Sequence, residues 1–294
     1  NRFTIVDYDF SDVEVCAWQS MGAQNTLEDY LTWATSTYPA DRYMLIFWNH
    51  GGGSTSGVCF DETADYDGLT IHEINDVLYN FTEANPDFHL DLIGFDACLM
   101  ATYEAAAHMQ YYADFMVASE ELEPSLGWNY AWLNALGENP ALDAQGIGVA
   151  IADAYMEACM DENPDDYLSM SVLYLPAMDY LVSTMETYAS YLSQALDAGQ
   201  LSTFSRARQR MYAFGDFDSA TSDMVDMMAL IDGTRTIAPQ TADVLQTAYE
   251  RVVRYNVGTR KFDYLTGMSV YFPSGSYEGD GCQETIPRMT EVTR

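Results

Sequence analysis

Leu90-Asp-Leu-Ile-Gly-Phe95, closed by Asp96-Ala97-Cys98-Leu99-Met100, is the stretch on which the fold turns. Its counterpart is Tyr43-Met-Leu-Ile-Phe-Trp48, closed by Asn49-His50-Gly51-Gly52-Gly53. Each is a short apolar run ended by turn chemistry, the pattern of a strand buried in a parallel sheet. Open α/β sheets place their chemistry at the carboxyl ends of such strands. His50 and Cys98, 98 − 50 = 48 positions apart, are therefore expected at one edge of one sheet. A cysteine nucleophile and its partner are assembled from distant sequence in this way.

Working outward, residues 26–38 read as a helix with Thr26 as N-cap and Leu27, Tyr30, Leu31 and Ala34 as its apolar stripe. Residues 51–68 read as a Gly/Ser/Asp-rich loop. Thr70 with Glu73 three positions on forms a capping box, followed by Ile71, Ile74, Leu78 and Phe81 on one face. Residues 99–110 read as a helix and 115–118 as a third strand. Strand alternating with helix implies a parallel sheet with right-handed crossovers. Beyond about residue 135 the pattern is mostly helical. Helices are expected over 148–160, 177–196 and 242–255, and strands over 169–175 and 268–272 that return to the sheet or to a small subdomain.

The chain has 294 residues and a net charge of −33, from 45 acids against 12 bases. No Lys or Arg lies between Arg42 and Arg206. Phosphate binding needs clustered bases, so nucleic acid is excluded as a partner. The negative field suits basic peptides or divalent cations, although an acidic surface also serves solubility alone. No run of 18 or more apolar residues is present, so no membrane-spanning helix is expected. Five cysteines (Cys16, Cys59, Cys98, Cys159, Cys282) form no CxxC pair. A zinc site is therefore not expected and at least one free thiol is.

Strand–His–Gly followed about 50 residues later by strand–acid–Ala–Cys resembles the clostripain family of cysteine peptidases, of the clan that includes caspases, legumains, gingipains and separases. Residues 38–43 (Tyr-Pro-Ala-Asp-Arg-Tyr), Ala118-Ser119-Glu120-Glu121, Gly127-Trp128 and 267–273 (Gly-Met-Ser-Val-Tyr-Phe-Pro) carry the resemblance along most of the chain. It implies a caspase-like α/β/α sandwich with a mostly parallel central sheet. The expected organisation is a core over 1–135 and a helix-rich C-terminal extension over 136–294. Family members usually begin with a further strand, which the segment before Asn1 is expected to supply. A second chain from upstream processing is a possible partner.

Cys98 is the expected nucleophile. A helix beginning at Leu99 is expected to lower its thiol pKa. His50 is the expected acid–base partner, with a Gly triplet that lets backbone approach a ligand. The resemblance assigns Gly51 to an oxyanion hole formed with the Cys98 amide, and Asp96 to an S1 pocket for a P1 Arg or Lys. Asp96 is alternatively the N-cap of the following helix. Glu120, with Glu121, is either a second pocket carboxylate or a surface acid, and Trp128 either a pocket wall or packing. The remaining histidines, His72, His89 and His108, have no setting like that of His50 and are expected to be structural or solvent-facing.

The implied function is a cysteine endopeptidase cutting after Arg or Lys through a thioester. Its partner is a protein or peptide with a basic P1 residue, and its location is secreted or cell-surface. A latent or silent peptidase-fold binding module, or a different P1 preference, is the alternative. No cofactor is needed for the chemistry. Calcium is possible through the acidic stretches 61–67 and 161–166, which otherwise read as solvated loops.

Overall fold

A computed structural model describes residues 2–6, 9–215, 222–259 and 265–273. Its centre is a five-stranded sheet in the order Val253–Gly258, Ser169–Tyr174, Ala113–Ala118, Leu90–Asp96, Met44–Trp48. The last three are mutually parallel. Ser169–Tyr174 returns antiparallel to Ala113–Ala118, and Val253–Gly258 antiparallel to it in turn. Strands from the C-terminal half thus hydrogen-bond directly to the parallel core.

The side-chain alternation of the strands builds three layers. Ile93, Phe95, Leu45 and Phe47 face one way. They pack on the helices Gln24–Thr37, Ile71–Ala84, Tyr103–Met109, Met178–Asp197 and Pro239–Val252. Leu92, Val117, Met170 and Val172 face the other way, onto Ile147, Ile151 and Tyr155 of the helix Ala144–Glu162 and onto Trp128 and Trp132. Each fully buried large aliphatic side chain contributes about 1.5–3 kcal/mol. Phe47 and Phe95 stack across the parallel pair with centroids 5.3 Å apart.

The Thr70 capping box forms as expected, with the Thr70 hydroxyl and the Glu73 carboxylate each accepting the other's amide. Several boundaries differ from the sequence reading. The first helix starts at Gln24 without a side-chain cap, because the Thr26 hydroxyl donates to the Ser20 carbonyl instead. The expected 148–160 helix begins at Ala144, where the Asp143 carboxylate caps Gly146 N–H. The expected 242–255 helix starts at Pro239 and ends at Val252, because the strand Val253–Gly258 follows with no turn residue between. The 51–68 loop contains a helical turn, Gly53–Ser56, and a hairpin of Val58–Asp61 with Asp67–Leu69. The strand expected over 268–272 does form, as Ser269–Tyr271, and pairs with Met224–Asp226 in a small two-stranded sheet.

Candidate active site

Parallel register brings the two key segments together. Trp48 lies opposite Asp96, so His50 and Cys98 each stand two residues beyond the same rung. Asn49 N–H continues the ladder to the Asp96 carbonyl at 3.4 Å. The approach is close enough that a Cβ on Gly51 would lie 2.2 Å from the Cys98 carbonyl oxygen. Only glycine fits there. His50 is exposed, and its carbonyl accepts from Cys59 N–H at 3.1 Å.

Cys98 is half-buried, and its Sγ accepts from the Glu123 amide at 3.2 Å. The expected helix does not begin beside it. Leu99 adopts a left-handed conformation with φ 65°, which breaks any helical path from Cys98. The turn is pinned by Leu99 N–H on the Glu121 carbonyl and Ala101 N–H on the Ser119 carbonyl. The helix starts at Tyr103 and is capped by Thr102, not by Asp96. A helix dipole therefore does not act on this thiol. Burial pushes the Cys98 thiol above its ordinary value. The Glu123 amide opposes that shift, the Glu123 charge adds to it, and the amides of Cys98 and Gly51 oppose it.

Asp96 ends its strand and is only 3 % exposed. Its Oδ1 accepts from Trp128 N–H at 2.9 Å and its Oδ2 from the Tyr130 hydroxyl at 3.1 Å. Gly127 makes this possible: it has φ +64°, and a Cβ would sit 2.9 Å from Asp96 Oδ1. Burial pushes the Asp96 carboxyl above the usual carboxylate range, against the pull of these donors.

A thiol just past one strand end, a histidine just past the neighbouring strand end and a buried carboxyl therefore stand at one edge of the sheet. The clostripain family model matches residues 7–277 of this chain. The chain belongs to the clostripain family. Clostripain of Hathewaya histolytica is 33% identical over 129 residues, which are 38% of this chain and 23% of that relative. An X-ray structure of a secreted C11 cysteine protease from Bacteroides thetaiotaomicron, in complex with an irreversible peptide inhibitor, superposes with TM-score 0.66 at 18% identity. It covers 92% of this chain and 77% of that one. An inactive zymogen C11 protease from Parabacteroides distasonis gives TM-score 0.67 at 18% identity, covering 99% and 80%. The expected caspase-like arrangement is the fold this clostripain-family chain has.

The acids of the loop after Ala118 separate into two groups. Glu120 is fully buried with Oε2 on Gly267 N–H at 2.9 Å, beside Asp226. Glu121 accepts from Leu122 N–H, Gly215 N–H and the Tyr212 hydroxyl. Neither carboxyl is brought to Asp96; both tie the loop to the C-terminal segments. The carboxyl that does face Asp96 is Glu123, which sequence reasoning passed over. Its only signal was membership of the run Glu120-Glu121-Leu122-Glu123 at the edge that carries Cys98. Trp128 packs its ring over Gly94, where a Cβ would lie 2.8 Å from the ring, while its amide holds Asp96.

The other histidines pair locally: His72 with Asp76, His89 with Asp114, and His108 with the Glu104 carbonyl. Among the described residues, no group of three or more His, Cys, Asp or Glu is arranged to hold a metal ion. In the acidic stretches considered for calcium, Asp61 accepts from Thr63 and from Met21 N–H, and Asp67 from Ser20. Cys16, Cys59, Cys98 and Cys159 are free thiols. Cys282 lies outside the described residues. Among the described residues no helix is long and apolar enough to cross a membrane.

Proposed function

We propose that this chain is a cysteine endopeptidase that cuts after Arg or Lys, with Cys98 as nucleophile and His50 as acid–base. The observation that carries the reading is the shared rung Trp48–Asp96, which sets His50, Gly51 and Cys98 side by side. His50 takes the thiol proton as Sγ attacks the scissile carbonyl, then delivers it to the departing amine. Water hydrolyses the resulting thioester. The developing oxyanion is met by the Gly51 and Cys98 amides, both of which favour negative charge at the thiol. Each such donor contributes roughly 3–4 kcal/mol to the transition state.

Because burial holds the thiol up in the empty enzyme, His50 works as a true base here rather than as partner to a resting thiolate. Asp96, next to the nucleophile at the sheet edge, supplies negative charge for a basic P1 side chain. The 33% identity to clostripain and the secreted, inhibitor-bound relative support peptide hydrolysis outside the cell.

The test is hydrolysis of matched fluorogenic peptides with Arg, Lys, Asp, Asn or Leu at P1, by the natural chain and by Cys98→Ala. Cleavage confined to Arg and Lys and lost in the variant is the expected result. A variant that keeps full activity overturns the dyad, and equal cleavage of all five peptides overturns the P1 assignment. A latent form is the second reading, favoured by the burial of Cys98 and its hydrogen bond from Glu123. It predicts no turnover of any of the five by a folded chain.

A further inference from the structure

Glu104 is a buried carboxyl that neither the dyad nor the oxyanion hole uses. It stands in the first turn of the helix Tyr103–Met109, just after the turn that carries Cys98. Both of its oxygens are taken. Oε2 accepts from the Ser54 hydroxyl at 3.1 Å and Oε1 from Tyr271 N–H at 3.0 Å. Ser54, like Glu104, is only 5 % exposed. Hydrogen bonds made to a carboxyl in such a place are stronger than in water, and costly to leave half-made.

The groups that Glu104 joins belong to three parts of the site. Ser54 lies in the helical turn Gly53–Ser56, on the His50 side. Residues 51–53 are all glycine, with no side chain to hold them and wide backbone freedom. The turn closes on itself through Gly52 N–H on the Gly57 carbonyl and Gly57 N–H on the Gly53 carbonyl. Ser54 is the first residue after the glycines with a side chain to tie that closed turn elsewhere, and it ties it to Glu104. A Cβ on Gly53 would lie 3.3 Å from the Leu99 carbonyl oxygen, so the glycine turn runs against the nucleophile's own turn. Tyr271 ends the strand Ser269–Tyr271, whose Ser269 N–H donates to the Ala101 carbonyl at 2.8 Å. One carboxyl thus links the segment of His50 and Gly51, the segment of Cys98 and the small sheet behind them.

We propose that Glu104 is a positioning residue for the peptidase reaction: through Ser54 it fixes the glycine turn, so that Gly51 N–H and His50 are held against Cys98. This rests on the Cys98–His50 reading above and deepens it. A reacting group displaced by about 1 Å costs on the order of 10²-fold in rate, and a run of three glycines does not resist such a displacement by itself. The bonds also say which replacement should work. Tyr271 N–H can only donate, so Oε1 must accept, whereas the Ser54 hydroxyl can rotate to donate or to accept. Glutamine can therefore reproduce both bonds, its carbonyl on Tyr271 N–H and its amide N–H on the Ser54 oxygen. Leucine reproduces neither, and Ser54→Ala removes only the bond to the glycine turn.

The experiment compares the natural chain with Ser54→Ala, Glu104→Leu, the double variant and Glu104→Gln. It measures kcat and KM on whichever of the five P1 peptides the natural chain cuts fastest. It also follows alkylation of Cys98 by iodoacetamide, read by mass on the Cys98 peptide, which decides alone if no peptide is turned over. In Ser54→Ala and Glu104→Leu, kcat falls by about 10- to 100-fold with KM held within about twofold. The double variant loses no more than the worse single one, as groups acting through one bond should. Glu104→Gln stays within about threefold of the natural chain. Alkylation at about pH 7 slows by about threefold or more in Ser54→Ala and Glu104→Leu, because the Gly51 amide that favours negative charge at the thiol is displaced, and it does not slow in Glu104→Gln. Ser54→Ala serves if the leucine variant does not fold. Natural kcat and alkylation rate in Ser54→Ala overturn the proposal while leaving the dyad reading standing. A loss in Glu104→Gln as large as that in Glu104→Leu overturns it too, because the two bonds are then not what matters. Turnover that survives Cys98→Ala overturns the dyad reading itself, and this proposal with it.

Discussion

Glu120 and Glu123 sit three residues apart on one loop and end in opposite situations. Glu120 is fully buried, with one oxygen on the Gly267 amide and its charge against Asp226. It joins the end of the central sheet to the segment that leads into Ser269–Tyr271. Glu123 belongs to a half-buried residue, and both of its oxygens lack partners beside Asp96 and Cys98. Burial pushes both carboxyls well above the usual range, and in each a neighbouring aspartate adds to the effect. A displaced pKa therefore does not tell the two apart. What does is hydrogen bonding: one Glu120 oxygen accepts from the Gly267 amide while its other is buried without a partner, whereas neither Glu123 oxygen has a partner.

That contrast is easiest to break from the Cys98 side. Cys98→Ala is expected to lower kcat/KM by about 10⁴-fold or more while the melting temperature stays put. A large fall in melting temperature would show that the thiol is a packing element after all. Asp96→Asn comes next. Peptidase assays with Arg at P1 should show a loss of about 10²- to 10³-fold, with stability held or raised because a buried charge is removed. An unchanged Arg preference would move the whole P1 pocket elsewhere. Gly51→Ala drives a methyl into the Cys98 carbonyl, 2.2 Å away. It is expected to reduce kcat by about 10²-fold, the scale of one misplaced oxyanion donor; unaltered kcat would remove Gly51 from that role.

On the Glu120 side the expected effects are on stability and on its pH dependence. Glu120 has a folded pKa raised above its unfolded value. Between those two values the native state holds a proton that the unfolded chain releases, so stability falls as pH rises above about 4.5. Glu120→Gln removes this term, and its melting temperature should decline less than the natural chain's between about pH 5 and about pH 8, at roughly 2 °C per kcal/mol for a domain this large. P1 preference should not change; if it does, Glu120 belongs to the pocket. The smallest effect serves as a control. Thr70→Ala dismantles a capping box that does not include the thiol, and thermal denaturation should register about 1 kcal/mol with kcat/KM intact.

The legible parts of the sequence were those with a local cause. The strands at Met44–Trp48 and Leu90–Asp96 are apolar runs cut off by Asn49-His50-Gly51 and Ala97-Cys98, and they stand where the pattern put them. The Thr70–Glu73 box forms because both partners lie within one turn. The misreadings involve distant partners. Thr26 bonds Ser20 in place of capping its helix. Leu99 takes a left-handed conformation between anchors to Glu121 and Ser119, so the composition of residues 99–110 overstated how early that helix starts. Val253–Gly258 extends the sheet because Ser169–Tyr174 offers a free edge, where periodicity alone suggested more helix.

The sequence by itself determined the parallel core, the pairing of His50 with Cys98 at one edge, and the chain's membership of the clostripain family. Periodicity, turn residues and motif order are all written along the chain. Only the tertiary structure decided which of three neighbouring acids turns toward Asp96. Glu120, Glu121 and Glu123 are chemically alike and similarly placed in the sequence. They are distinguished by Gly267, Gly215, Tyr212 and Asp226, residues some 90 to 150 positions away, which engage the first two and leave the third buried without a hydrogen bond. Hydrogen-bond satisfaction of a buried group depends on what folds against it, and that is settled only when the distant segments pack.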